Sequence, residues 1–159
     1  MKNDTLLVVA GLLGVAAYIM ADEPASADEG TTVSNGFGIN NPLNIRYLAS
    51  NAFRGQIGNH GGYGQYDTLN NGVRAAGLEL TSYINRGLTT VTQIVSTWAP
   101  SSENDTASYI SDVSSRMGVA ATEPLAWPQD EVPLIQAMAY HENGYNNMSD
   151  DFVAGAIAS

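Results

Sequence analysis

From residue 42 onward, apolar and polar positions alternate over short distances first and follow helical spacing afterwards. Leu43–Tyr47, Phe53–Ile57 and Tyr63–Tyr66 are short runs separated by glycine and asparagine. They predict a small antiparallel sheet, with the stretch 58–62 (GNHGG) as the turn between its second and third strands. The period then changes. Val73, Ala76, Leu80 and Ile84 fall on one face of a helix over about 71–85, stopped by Gly87. Val91, Ile94, Val95 and Trp98 mark a second helix, which Pro100 ends. A third is expected to start near Asn104 and to carry Ile110, Val113 and Met117 up to Gly118. A fourth starts near Asp130 with Pro133 in its first turn, is almost wholly apolar over 134–139, and closes at Gly144. The pattern predicts an α+β domain, mainly α, with about four helices and a small sheet.

The start of the chain reads differently. Thr5–Ala21 carries no charge, follows Lys2, and is closed by Asp22 and Glu23. Seventeen residues is at the short end for a membrane-spanning helix, and the flanking charges orient the remainder of the chain away from the cytoplasm. A cleaved signal peptide is the other reading, with Ala25-Ser26-Ala27 as a small-x-small cleavage site. Residues 22–41 are acidic and rich in small polar residues, as in a flexible linker, with Phe37 and Ile39 able to settle onto the domain. The expected organisation is an anchor over 1–21, a linker over 22–41 and a globular domain over 42–159.

Composition narrows the chemistry. Six Lys+Arg against sixteen Asp+Glu give a net charge of -10, and the five arginines are scattered singly. No basic stripe exists to meet a phosphate backbone, which excludes a nucleic-acid partner. With no cysteine and two histidines, disulfides, thiolate catalysis and cysteine- or multi-histidine-ligated metals drop out. No metal or cofactor is expected: the acidic run 101–106 lacks the spacing of a calcium loop, and its acids suit the first turn of a helix.

The fourth helix carries an anomaly, because its apolar body ends in His141-Glu142-Asn143-Gly144. A carboxylate at the C-terminal end of a helix faces the negative pole of the dipole, which penalises its ionised form and suits it to donate a proton. The same Glu142 also reads as a solvated charge beside a glycine cap. On the sheet, Asn44, Arg46, Tyr63, Gln65 and Tyr66 interleave amide, guanidinium and aromatic groups, a mixture suited to sugar hydroxyls and ring faces as well as to plain solvent. Asp67, the carboxylate next to the sheet, is either a second catalytic acid or a helix-starting residue.

These residues resemble a known family. Leu134–Asn147 (LIQAMAYHENGYNN) looks like the catalytic-helix signature of the lysozyme-like superfamily, with Asn143 where a serine usually stands. Asn41–Arg46 (NPLNIR) is similar to the Asn-Leu-Phe-Gly-Ile-Lys element of bacterial glucosaminidases, and the segment from Tyr63 to Tyr83 resembles the stretch that follows it there. Trp98–Val113 is similar to an element around a conserved tyrosine in glucosaminidases and soluble lytic transglycosylases. The combined pattern also looks like small phage virion structural proteins. In the enzyme families the catalytic Glu precedes the asparagine element, whereas Glu142 follows it, so the resemblance implies a circular permutant.

The resemblance implies cleavage of the β-1,4 glycan strand of peptidoglycan by a phage-borne, membrane-tethered domain. Glu142 would protonate the glycosidic oxygen and Tyr109 would orient it. A transglycosylase needs no second carboxylate, while a lysozyme-type hydrolase would use Asp67. Asn44, Arg46, Tyr63, Gln65, Tyr66 and His141 would bind the sugar chain. Residues 5–21 would contact lipid, at a virion membrane or the outer face of a cell membrane. The alternative is a non-catalytic virion protein bridging an internal membrane and the capsid through other virion proteins.

Overall fold

A computed structural model describes residues 36–49 and 53–159. The anchor or signal segment over 1–21 and most of the linker lie outside the described residues. Among those described, no helix is long and apolar enough to cross a membrane.

The order of elements is a 3-10 turn (Gly36–Ile39), strands β1 (Gln56–His60) and β2 (Tyr63–Tyr66), then helices α1 (Leu69–Asn85), α2 (Val91–Trp98), α3 (Thr106–Met117), α4 (Glu131–Asn143) and α5 (Asp150–Ile157). The architecture is mainly helical with a small antiparallel sheet. Helix α4 is central and packs against α1, α3 and α5. Its Leu134, Ile135, Met138 and Ala139 are fully buried. Each large apolar side chain removed from water in this way contributes about 1.5–3 kcal/mol before entropy is counted.

Four sequence expectations need correction. The sheet has two strands, not three, because the segment 43–47 is drawn into a loop. Asn40 and Asn44 both adopt left-handed backbone (φ 57° and 51°), leaving a single bridge between Arg46 and Tyr63. The second expected strand shifts from 53–57 to Gln56–His60, since Gly55 (φ 77°) closes a turn just before it. Consequently the hairpin turn shrinks to Gly61-Gly62, both at positive φ as a two-residue primed turn requires. A bulge between Gln56 and Gly58 turns Ile57 outward, 63% exposed.

The domain also begins earlier than residue 42. Ile39 and Asn41 are buried, and Phe37 stacks on Tyr145 with ring centroids 5.0 Å apart. Finally, α5 is a helix that the apolar spacing alone does not predict. Ser149 caps it by accepting from the Phe152 N–H, and Val153 and Ala156 bury its one apolar face. It lies along α1, where Gly77 admits Ile157.

The other helix boundaries follow their signals. Thr68 caps α1, a capping box of Thr90 and Gln93 opens α2, and Asp105, rather than the expected Asn104, caps α3 by accepting from Ser108 N–H at 3.1 Å. Gly118 and Gly144, both left-handed, end α3 and α4.

Two carboxylates are buried away from any cleft, Glu79 on α1 and Glu131 at the start of α4. Burial pushes Glu131 above its ordinary range, only partly opposed by a hydrogen bond from Thr81. A raised folded-state value means that the native state holds its proton more tightly than the unfolded chain. Stability from this group is therefore greatest in acid and declines as pH rises from the ordinary glutamate range through the raised folded value. Glu131→Gln removes the titration, so the melting temperature of the variant minus that of wild type should grow between pH 4 and pH 8. A difference that shrinks with pH in thermal melts would contradict it.

The arginines turn to partners within the domain. Arg54 donates to Asn71 and to the Ser159 hydroxyl, and Arg74 donates to the backbone oxygen of Ser159. Arg86 lies over the Tyr83 ring. Arg46 pairs with Glu103 over Tyr63, and Arg116 pairs with Asp112 over Tyr140.

Candidate functional site

The asparagine-rich segment 40–46 is the first wall of the site. Asn41 is fully buried, and its side chain acts as an internal clamp. Its Nδ2 donates to the carbonyls of Ile45 and Gly64, and its Oδ1 accepts from the Ile45 N–H, each at 2.8 Å. These bonds take up carbonyls and an amide that a regular strand would have used in its ladder. They also hold Asn44 in its left-handed conformation, with the side chain directed at α4.

Helix α4 provides the second wall. Its last turn is fastened to the first wall by Asn143, whose Nδ2 donates to the Pro42 carbonyl at 2.8 Å. Asn143 also donates to Ala139 O one turn back. Asn143 thus ties the helix end to the NPLNIR segment.

Glu142, half-buried, lies between these walls and α3. Asn44 Nδ2 donates to its Oε2 at 2.8 Å, and the Tyr109 hydroxyl donates to its Oε1 at 2.8 Å. The three residues come from positions 33 to 98 apart along the chain. Among the described residues no cation pairs with this carboxylate, so it is oriented by two neutral groups. A hydroxyl can donate or accept, and an amide offers both functions, so the pair can accompany the acid in either protonation state. Burial, followed by the nearby Glu142 charge, holds the Tyr109 phenol well above its ordinary range, which keeps it a proton-bearing partner.

Glu142 opens into a pocket of about 180 Å³ lined by Asn104, Asp105, Ser108, Tyr109 and His141. Asp105 is engaged as the cap of α3. His141 lies flat on Tyr109, with centroids 3.8 Å apart and 22° between the ring planes. Its Nδ1 is 3.1 Å from Asp112 Oδ2. Arg116 bonds the other oxygen of Asp112 at 2.9 Å, and this bond first, then that to His141, holds the Asp112 carboxyl below its usual range.

The remaining predicted residues take other places. Tyr66 points into the core, where burial pushes its phenol far above the ordinary range, and its hydroxyl has no hydrogen-bond partner among the described residues. It packs beside Gly72 and Gly64 rather than on a sugar-accessible face. Asp67 is outside the pocket and exposed at the start of α1. Hydrogen bonds, from Asn71 first and Thr68 next, hold its carboxyl below the usual range. That is the helix-starting role rather than a place beside Glu142. Arg46 is exposed and tied to Glu103, directly before the Asn104-Asp105 wall of the pocket, with Tyr63 beneath it. Gln65 pairs with Gly58 in the sheet. Asn104, Asp105, Ser108 and Asp112 are the residues of this region that sequence reasoning missed as site residues. Asp112 sits three residues after Tyr109 and so on the same helix face, which is the signal that would have found it. Among the described residues, no group of three or more histidine, aspartate or glutamate side chains is placed to hold a metal ion.

No protein-family model matches the sequence. The chain is similar to Protein P5 of Pseudoalteromonas phage PM2, with 31% identity over 158 residues that cover 94% of this chain and 91% of that protein. Likeness at that level over nearly the whole of both chains places this protein in the same family as the phage PM2 Protein P5.

Proposed function

We propose that this protein is a glycosidase of lysozyme-like, circularly permuted design that cuts the β-1,4 glycan strand of bacterial peptidoglycan for a phage. The observation that carries the reading is the Glu142 carboxylate, held by Asn44 and Tyr109 with no cation paired to it among the described residues, at the mouth of a polar pocket. A structural glutamate is commonly neutralised by a basic partner or left in solvent. Glu142 is instead fixed in direction by groups that tolerate its proton, as a general acid requires. Glu142 gives its proton to the glycosidic oxygen while the C1–O bond breaks. Tyr109 and Asn44 keep the carboxyl aimed at that oxygen. Kinship with a phage protein supports work in a virion or during lysis, and residues 5–21 would tether the domain to a membrane beside its target.

The test is digestion of purified sacculi by the full chain in mild detergent, with mass spectrometry of the released fragments. Anhydromuramoyl ends are expected for a transglycosylase and reducing sugar ends for a hydrolase. Sacculi left intact between pH 4 and 8 would sink the enzyme reading and turn attention to the bridging role in the particle.

A further inference from the structure

Among the described residues, the other carboxylates near Glu142 are already engaged. Asp105 caps α3, Asp112 is bound to Arg116 and His141, and Glu103 is paired with Arg46. Asp67 lies at the start of α1. Glycosidic cleavage needs two proton movements, one to the leaving oxygen and one from the attacking hydroxyl. Among the described residues, Glu142 itself apart, no carboxylate stands free to serve the second.

We propose that His141, oriented by Asp112, is the base that takes the proton of the attacking hydroxyl at the Glu142 site. This rests on the glycosidase reading above. The geometry is that of an aspartate–histidine dyad. A carboxylate can only accept, so the Asp112 contact puts the ring proton on Nδ1 and leaves the lone pair of the neutral ring on Nε2. Nε2 takes no partner among the described residues, while the ring lines the pocket that Glu142 enters. The stack on Tyr109 sets the ring plane, and the same Tyr109 holds Glu142 through its hydroxyl. Acid and base are thereby seated on one aromatic support. Arg116 in turn fixes Asp112 and is itself laid over Tyr140, the residue before His141. Asp112 and Arg116 are positioning residues, since they act through His141.

The step balances as follows. The oxygen of water, or of the sugar's own C6 hydroxyl, forms a bond to C1, and its proton passes to His141 Nε2. The bond from C1 to the leaving oxygen breaks, and that oxygen takes the proton of Glu142. The products are a cleaved strand, a Glu142 carboxylate and a His141 imidazolium facing Asp112. Proton return from the imidazolium through solvent to Glu142 resets the site.

Chemical rescue tests this on the full chain acting on purified sacculi. His141→Ala should lower the cleavage rate about 100-fold or more, within the usual range for loss of a general base. Added imidazole should restore at least a tenth of the wild-type rate to His141→Ala, in proportion to its free-base concentration, and should do nothing for Glu142→Gln. Asp112→Asn is the second variant. Its amide can donate to Nδ1, which drives the ring proton to Nε2, and the rate should fall at least tenfold with an unchanged melting curve. An active wild type with His141→Ala above about a third of its rate, or with no response to imidazole, overturns the base assignment and leaves the glycosidase reading standing. A larger loss in Asp105→Asn than in His141→Ala overturns it too, in favour of Asp105. An inactive wild type overturns both.

Discussion

Glu142→Gln is expected to stop glycan cleavage while leaving the domain folded. Glutamine has the same shape and keeps one oxygen to accept from Tyr109. Its amide nitrogen then meets Asn44, which can turn its own amide to present an oxygen. The half-buried position therefore loses no hydrogen bond, and the circular dichroism and melting temperature should stay near wild type. What is lost is the transferable proton. Removing a general acid costs on the order of 10²–10⁴ in rate, and the leaving group here is a poor one, which favours the upper part of that range. Muropeptide chromatography over a day of digestion would detect the residue of activity. A variant that retains more than about a tenth of the wild-type rate would place the acid elsewhere.

The second large effect is on stability. Asn41→Ala removes a side chain that makes three hydrogen bonds in a fully buried place, leaving the Ile45 N–H and the carbonyls of Ile45 and Gly64 short of partners. Each unsatisfied buried group costs about 1–3 kcal/mol, although Gly64 N–H still donates to Ile45 O and softens the loss there. A total near 4 kcal/mol is a large share of the roughly 5–15 kcal/mol that holds a domain together. The melting temperature should fall on the order of 10–20 °C. Urea titration should show a matching drop in the midpoint. Because Asn41 sets the loop that carries Asn44, surviving folded molecules should also cut more slowly. A variant within about 1 kcal/mol of wild type would mean that the clamp is replaced by other contacts.

Helices α1 to α4 were legible because each had an apolar pattern and a stop. Val73, Ala76 and Leu80 are all buried, and Gly118 and Gly144 close their helices at positive φ. Helix α5 was missed for want of length, with two buried positions in eight residues, although Ser149 followed by two aspartates was a readable start. The sheet was misjudged where side chains replace backbone ladders. Alternation in LNIRY suggests a strand, but nothing in alternation reveals that Asn41 will bond the carbonyls first. At the site, Glu142 stood out as a charge ending an apolar helix and Asn44 as one of the polar groups on the expected sheet, while Tyr109 came from resemblance. Their meeting depends on tertiary contact between segments 33 and 98 residues away from Glu142, which no local pattern encodes. The role of Tyr66 was misread for a related reason: on a two-faced strand, period two says which residues share a face but not which face is buried.

The arginine placements have a kinetic consequence. In the described domain each guanidinium already faces a carboxylate, an aromatic ring, a side-chain amide or the Ser159 end, within a chain whose net charge is -10. Such a surface offers no attractive field to a polyanionic envelope. Diffusional capture from bulk therefore gains nothing from steering, and beyond the screening distance of about 8 Å at physiological salt the two bodies are indifferent to one another. If the domain acts on peptidoglycan as proposed, its productive encounters would come from confinement, in which attachment to a neighbouring surface raises the local concentration and short-range fit does the selecting. On the proposed reading, then, the domain would be cargo whose reach is set by its carrier.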